Sequence, residues 1–361
     1  MKKVFGIFLL ALLTVGALVA CSAKTYEIAL ITDVGNIDDK SFNEGSWNGV
    51  KEYAEANKIS YAYYRPSEDS EAARVETIGS AIEKGAKVVV CPGYLFETAI
   101  YQVQDTYPDV NFILLDGEPH TADYATYNTA SNVHCILYQE EQAGYLAGYA
   151  AVKDGFTELG FVGGMAVPAV VRYGYGFVQG ADAAATELGA TVNIKYYYAN
   201  AFAGSDGLET LVSGWYTGGT EVVFACGGKL YTSVVAAAEA STAGKVIGVD
   251  VDQVAESTTI ISSAMKGLTV SVVQALTALY DNNGVWPTAY AGKTSVLGAA
   301  QDGIGLPTAT ASWGFANFTL AEYTTLFNKL VAGTVVVSSA IDAHPAVTTV
   351  TVDYIDAAPA E

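Results

Sequence analysis

The chain has 361 residues, of which 51% are hydrophobic and 11% aromatic, and its formal net charge is −20. This composition excludes a disordered chain, and the length suits two lobes of ordinary domain size better than a single core. The strong excess of acidic residues also excludes electrostatic binding to nucleic acid or to anionic lipid headgroups.

The first residues read as an export signal. Lys2 and Lys3 precede an uncharged apolar run over residues 4–20, and Cys21 follows directly. This pattern predicts a signal peptide over residues 1–20 that ends in a lipobox, so that a diacylated Cys21 holds the chain on the extracytoplasmic face of the cell membrane. An uncleaved membrane anchor is the alternative, but the apolar run is short for a membrane span. Loss of both lysines would leave a charge of −22 (−20 minus +2).

Beyond Cys21, short β-branched runs alternate with helical patterns. Strands are predicted over residues 26–32, 59–64, 87–91, 111–115, 158–162, 191–197, 221–225 and 245–249, with one more before Lys266. Helices are predicted over residues 42–57, 71–84, 95–106, 139–153, 169–188, 208–215, 230–241 and 266–280. The alternation indicates an α/β fold with two doubly wound parallel-sheet lobes and a cleft between them. We assign 21–135 plus about 264–305 to the N-terminal lobe, and 136–263 plus about 306–361 to the C-terminal lobe.

Polar or small residues follow several predicted strands. Asp33, Asp116, Asp250 and Lys266 each come where a strand ends, and Gly227 follows another strand. In parallel α/β sheets, ligands bind beyond the carboxyl ends of the strands, so we expect these residues to converge on the cleft. For any single aspartate, a helix N-cap is an equally good interpretation.

The cysteines and histidines indicate neither a metal nor a cofactor. Cys91 and Cys226 close apolar runs and, with Cys135, make an odd number after Cys21, which favours buried free thiols. No cysteine pair has zinc spacing, and the three histidines are scattered along the chain.

Four segments carry a resemblance to a known family: "TDVGNIDDKSFNEGSWNGV", "GFVGGMAVPAVVRYGYGFVQGADAA", "IGVDVDQ" and "IISSAMKG". Together they resemble the basic membrane protein family of bacterial lipoproteins, also called the purine nucleoside receptor A group, over residues 26–279. The resemblance implies a type I periplasmic-binding-protein fold. It also implies a monomeric substrate-binding protein of an ABC importer, with a purine nucleoside as ligand and permease and ATPase subunits as partners.

The resemblance also implies roles for individual residues. Two aromatic rings would stack on the base, three polar side chains would bind its edge, an acid and a cation would bind the ribose, and a glycine would let the backbone approach the sugar. In that order these residues are Phe42 and Phe202; Asp33, Asn43 and Asp116; Asp250 and Lys266; and Gly227. The neighbouring Asp38 and Asp39 are expected to order a solvated turn and to cap the next helix.

Other functions stay open at this stage. A sugar or another small solute could bind the same fold, and surface adhesion is compatible with an exposed lipoprotein. A nucleoside-cleaving enzyme would need a positioned nucleophile, a metal or an acid–base pair. Ser263 and Lys266 match the S-x-x-K pattern of penicillin-binding enzymes, but no S-D-N motif follows, so we expect no catalysis.

Overall fold

The computed structural model describes residues 25–355. The signal peptide and the lipidation site predicted at Cys21 lie outside these residues. No helix within residues 25–355 is long and apolar enough to cross a membrane.

Thirteen strands and nine α-helices make up the described chain. In chain order they are β1 (Ile28–Ile31), α1 (Phe42–Asn57), β2 (Tyr61–Tyr64), α2 (Glu71–Glu83), β3 (Val88–Pro92), α3 (Glu97–Val103), β4 (Asn111–Leu115), β5 (Val133–Tyr138), α4 (Glu140–Asp154), β6 (Glu158–Gly163), α5 (Pro168–Leu188), β7 (Val192–Tyr198), α6 (Asp206–Thr217), β8 (Val222–Cys226), α7 (Tyr231–Ala240), β9 (Lys245–Asp250), β10 (Ile260–Lys266), α8 (Leu268–Asp281), β11 (Lys293–Leu297), β12 (Ile304–Gly305), α9 (Leu320–Val331) and β13 (Val350–Ile355).

The strands form two sheets. The first has the order β11-β5-β4-β3-β1-β2 and is parallel throughout. The second has the order β12-β10-β9-β8-β6-β7-β13 and is parallel except for the antiparallel pair of β10 and β12. Strands such as β1, β3 and β8 are apolar along their whole length and buried at every residue, as expected where helices cover both faces of a parallel sheet. The predicted doubly wound α/β architecture is confirmed.

The chain crosses between the sheets three times: from β5 into α4, from β10 into α8, and from β11 to β12. Helix α8 returns to the first lobe, where the Thr269 hydroxyl donates to the carbonyl of Gly45 in α1 at 2.8 Å. The predicted boundaries between the lobes stay a prediction at the level of single residues. Strand β10 itself belongs to the second sheet as far as Lys266.

Helices α4 and α5 pack backbone against backbone. A Cβ atom built on Gly148 would lie 2.0 Å from the carbonyl oxygen of Phe177, and one on Gly180 would lie 2.0 Å from that of Tyr145. Gly144 and Gly176 meet the facing helix at 2.0 and 2.1 Å in the same way. Two glycines four residues apart on each helix therefore allow the close approach that holds the second lobe's first helix in place.

Several predictions about local structure needed correction. The helix predicted over 95–106 begins with a 3₁₀ turn and ends earlier, because α3 covers Glu97–Val103. Strands β5, β11 and β12 and the elements after residue 310 were not predicted at all. Cys91, Cys135 and Cys226 are free and buried, which confirms the prediction of buried thiols, and burial raises the pKa of Cys135 to about 12.

Candidate ligand-binding cleft

A cleft of about 500 Å³ lies between the carboxyl ends of the two sheets. This volume is in the range of small-molecule sites in proteins. All eight residues predicted from the sequence line it: Asp33, Phe42, Asn43, Asp116, Phe202, Gly227, Asp250 and Lys266. The structure therefore brings the predicted set together, and their proposed contacts with a ligand stay a prediction.

The loop after β1 forms a hydrogen-bonded wall of the cleft. Asp33 Oδ1 accepts from the backbone N–H of Gly35 at 2.6 Å and from Asn43 Nδ2 at 2.8 Å. Asn43 Nδ2 also donates to Asp39 at 2.9 Å, and Asn43 Oδ1 accepts from the backbone N–H of Asp33 at 3.2 Å. Both amide hydrogens of Asn43 are therefore used within the protein, so its evident role is to orient Asp33. Burial raises the pKa of Asp33 to about 6, although the bonds from Gly35 and Asn43 oppose that rise.

Asp38 and Asp39 differ more than the sequence suggested. Asp39 is buried and accepts from the backbone N–H groups of Ser41, Asn43 and Glu44 at 2.9 to 3.0 Å. It caps α1 as predicted, but the prediction of a solvated position was wrong for Asp39, because these three donors replace water around its carboxylate. Asp38 is exposed and pairs across the cleft with Lys229 at 3.3 Å.

Lys266 lies at the inner end of the cleft, at the last residue of β10, and its side chain is 2% exposed. Its Nζ is 2.5 Å from Asp116 Oδ2, 3.3 Å from Glu140 Oε1 and 3.9 Å from Asp250 Oδ1. The nearest partner is therefore Asp116, which was assigned to the base edge, and not Asp250. Asp250 instead accepts from the Ser41 hydroxyl at 2.5 Å.

Three aromatic rings surround the same ammonium group. Lys266 Nζ lies 4.6 Å from the ring centroid of Phe42, 5.2 Å from that of Tyr138 and 5.5 Å from that of Tyr173. These distances are within the range of cation–π attraction, which is strongest where the cation is desolvated. The lysine thus holds one of the predicted stacking rings and the carboxylates in one cluster.

The charges in this cluster do not cancel. Arg172 donates to Glu140 at 2.7 Å, so two cations face the three carboxylates of Asp116, Glu140 and Asp250. Burial raises the pKa of Asp116 to about 7, against the lowering effect of Lys266. Burial also raises the pKa of Asp250, and Lys266 again opposes this. For Glu140 burial acts in the same direction, but Arg172 and Lys266 together outweigh it and lower the pKa.

The two strand-end aspartates have an unusual backbone. Asp116 has a φ of 58° and Asp250 a φ of 66°, which is the left-handed region. Non-glycine residues adopt it at a cost, and such residues are concentrated at functional sites. Both conformations aim carboxylates into the cleft at Lys266.

Phe202, in the second lobe, lies against the glycine backbone of the same lobe. A Cβ atom on Gly164 would be 2.4 Å from Phe202 Cδ1, and one on Gly227 would be 2.8 Å from the same atom. Gly227 also has a φ of 138°, which side chains rarely permit. The close approach predicted at Gly227 is thus to the ring of Phe202, while its predicted approach to a sugar stays a prediction.

The comparisons with known proteins agree with this geometry. The family model described as "ABC transporter substrate-binding protein PnrA-like" matches residues 27–322. The chain belongs to this family. The resemblance to the basic membrane proteins seen in the sequence is thereby confirmed.

Individual relatives support the same assignment. The ABC transporter nucleoside-binding protein BmpA of Lactococcus lactis is 27% identical over 275 residues, which cover 70% of this chain and 74% of the relative. Basic membrane protein D of Borreliella burgdorferi is 30% identical over 302 residues, covering 80% and 82%. A crystal structure of an ABC transporter solute-binding protein from Aeropyrum pernix K1 superposes with a TM-score of 0.74 at 21% identity, covering 88% of this chain and 94% of the other. The type I periplasmic-binding-protein fold is confirmed.

Glu140 and Tyr173 are among the residues of this PnrA-like substrate-binding protein that the sequence analysis missed. Glu140 is fully buried at the start of α4, and Tyr173 lies inside α5 with its ring toward Lys266. Neither follows a strand of the predicted list, so the strand-end rule could not find them. For Glu140 the only signal was the pair of glutamates at the start of a predicted helix, and such a pair also suits an ordinary N-terminal turn.

Within residues 25–355, no group of three or more His, Cys, Asp or Glu side chains is arranged to hold a metal ion. The three carboxylates at the inner end are arranged around the Lys266 ammonium group instead.

Proposed function

We propose that this substrate-binding protein binds purine nucleosides, including adenosine, guanosine and inosine, and delivers them to the permease and ATPase subunits of an ABC importer. The observation that carries the proposal is the pairing of two chemistries in one cleft: the half-buried rings of Phe42 and Phe202, and the carboxylates of Asp116 and Asp250 beside Lys266. A nucleoside needs both, since its base is flat and aromatic and its ribose carries hydroxyl groups. The name of the Lactococcus relative, a nucleoside-binding protein, supports the same ligand class.

The test is isothermal titration calorimetry on the chain without its signal peptide, after removal of co-purified ligand by unfolding and refolding. We expect binding of adenosine, guanosine or inosine, and much weaker binding of ribose and glucose. Tight binding of a hexose without binding of any nucleoside would contradict the proposal and favour the sugar-binding alternative. Chromatography of the nucleosides after incubation should recover them intact, whereas release of free base in proportion to protein would indicate an enzyme.

The ribose end of the proposal has its own test. If Asp250 accepts from a ribose hydroxyl, Asp250→Ala removes a charged hydrogen-bond acceptor, and nucleoside affinity should fall at least about tenfold. Wild type should prefer a nucleoside to its 2′-deoxy form, and the variant should prefer it much less. If wild type and variant prefer the nucleoside over its 2′-deoxy form by the same factor, Asp250 is removed from the proposed ribose contacts.

We further propose that lipid on Cys21 anchors the protein at the outer face of the cell membrane. Two or three acyl chains hold a protein durably, whereas the acidic chain has no electrostatic attraction to anionic lipid. Cells labelled with radioactive palmitate should incorporate it into wild type and not into Cys21→Ala. Incorporation into the variant at the wild-type level would contradict the anchor.

A further inference from the structure

Tyr173 has a buried hydroxyl group whose hydrogen-bonding capacity is unused. The residue is 2% exposed, and among the described residues its Oη has no hydrogen-bond partner. Other buried tyrosines nearby are satisfied: Tyr138 shares a hydrogen bond of 2.5 Å with Ser271, and Tyr196 shares one of 2.8 Å with Tyr198. A buried hydroxyl without a partner is destabilising by a free energy on the order of 1–3 kcal/mol, so its retention calls for a reason.

The surroundings of Tyr173 point to a ligand. The residue lines the cleft, and its ring centroid is 5.5 Å from Lys266 Nζ. Asp116 lines the same cleft and uses only Oδ2 to bind Lys266, while its buried Oδ1 has no partner among the described residues. Tyr173 and Asp116, which both line the cleft, therefore each carry a buried side-chain oxygen without a partner among the described residues.

These two groups have complementary chemistry. A carboxylate oxygen accepts a hydrogen bond, and a phenol donates one as long as it keeps its proton. Burial, and next the nearby charge of Asp250, raise the pKa of Tyr173 well above its ordinary value, so the phenol stays protonated. A hydroxyl is a ligand group that can, with a single oxygen atom, both donate to a carboxylate and accept from a phenol. In a nucleoside, the hydroxyl groups are on the ribose.

We infer that the Tyr173 hydroxyl donates a hydrogen bond to a ribose hydroxyl of the bound nucleoside, next to Asp116, and that Tyr173 is a further specificity-determining residue of the cleft. This inference rests on the proposed function, because it requires a ligand that carries a hydroxyl-bearing sugar. It adds a contact from the interior of a helix to a site otherwise built from strand ends, loops and the first residues of α1.

The decisive variant is Tyr173→Phe, which removes one oxygen atom and leaves the ring beside Lys266. Calorimetry with adenosine, guanosine and inosine, and with the 2′-, 3′- and 5′-deoxy forms of the nucleoside bound most tightly, measures each affinity in wild type and variant. We expect the variant to bind the full nucleoside about tenfold more weakly. We also expect it to lose the wild-type preference for that nucleoside over one of the three deoxy forms.

Stability separates this role from a structural one. Removing an unpaired buried hydroxyl should leave the melting temperature of the ligand-free protein at or above that of wild type, while affinity falls. Tyr354→Phe is the matched control, because the Tyr354 hydroxyl is also buried and has no partner within residues 25–355, but Tyr354 does not line the cleft. The control should keep wild-type affinity for every ligand.

The outcomes distinguish the inference from the function on which it rests. If wild type binds no nucleoside, the proposed function fails first. If wild type binds and Tyr173→Phe has the same affinity and the same preferences, Tyr173 makes no ligand contact and the inference is overturned. A uniform loss of affinity for the nucleoside and all three deoxy forms would also overturn it, because the lost contact would then not involve a hydroxyl.

Discussion

Removing the charge of Lys266 is the strongest single test of how the buried ion cluster contributes to stability. Lys266→Met keeps a side chain of similar length and removes the charge from among Asp116, Glu140 and Asp250, which lie 2.5, 3.3 and 3.9 Å from Nζ. Arg172 still neutralises Glu140 at 2.7 Å. Asp116 and Asp250 would be left as buried carboxylates without a cation.

Removing one partner from a buried ion pair destabilises proteins by roughly 3–5 kcal/mol, because the remaining charge is desolvated and uncompensated. We therefore expect Lys266→Met to lower the free energy of unfolding by about that amount near pH 8. The loss should shrink on acidification. Burial already raises the pKa of Asp116 to about 7 with the lysine present, and removing the lysine raises it further. A carboxyl whose pKa is higher in the folded than in the unfolded state binds protons on folding, so the unfolding free energy falls as pH rises through that window.

The assay is urea denaturation of the ligand-free protein at several pH values between about 5 and 8, a range that includes the pKa of about 7 of Asp116 in wild type. Lys266→Met/Asp116→Asn supplies the control, since it also removes the carboxylate closest to the missing charge. It should recover part of the loss at high pH, as expected for coupled residues. A loss of under about 1 kcal/mol at pH 8 that does not vary with pH would refute this reasoning, because a surface ion pair behaves that way.

Three other outcomes follow from the same structure. Phe42→Ala and Phe202→Ala should each weaken nucleoside binding by about 1–3 kcal/mol in calorimetry, the usual contribution of stacking on a base; unchanged affinity in either would remove that ring from the site. Gly148→Ala should cost about 3 kcal/mol or more in urea denaturation because its Cβ would lie 2.0 Å from a facing carbonyl, whereas Gly214→Ala, in an open position of α6, should stabilise slightly. Since burial raises the pKa of Asp33 to about 6, the unfolding free energy should fall between about pH 4 and 6, and Asp33→Asn should flatten that slope.

The sequence predicted those elements whose pattern is local. Helix α1 begins and ends where its amphipathic pattern does, and β4 covers the predicted residues 111–115. Strand β5 was missed because its apolar run follows a long irregular loop and contains His134 and Cys135. Strands β11 and β13 are short or partly exposed, and each is paired with a strand more than a hundred residues away, which no local pattern records.

For the candidate site, the sequence predicted which residues meet in the cleft but not which of them contact one another. The rule that ligands bind beyond strand ends collects Asp33, Asp116, Asp250 and Lys266 in one cleft, because strand ends are visible in the sequence. It could not assign partners within that set. Lys266 lies closer to Asp116 than to Asp250 because the first lobe's β4 and the second lobe's β10 end face to face, and this depends on the packing of the lobes.

The position of β11 in the first sheet has a consequence for how the chain folds during synthesis. This strand pairs with β5, yet in the sequence it follows β6 to β10, which are five of the seven strands of the second sheet. Until it arrives, β5 presents a free row of backbone N–H and C=O groups at the edge of a buried, apolar sheet. Such an edge is a template for pairing with another chain. The first lobe therefore cannot be completed before most of the second is made, and a nascent or truncated chain that stops short of β11 carries an open aggregation-prone edge. A chaperone that binds the unfinished chain has that edge to cover.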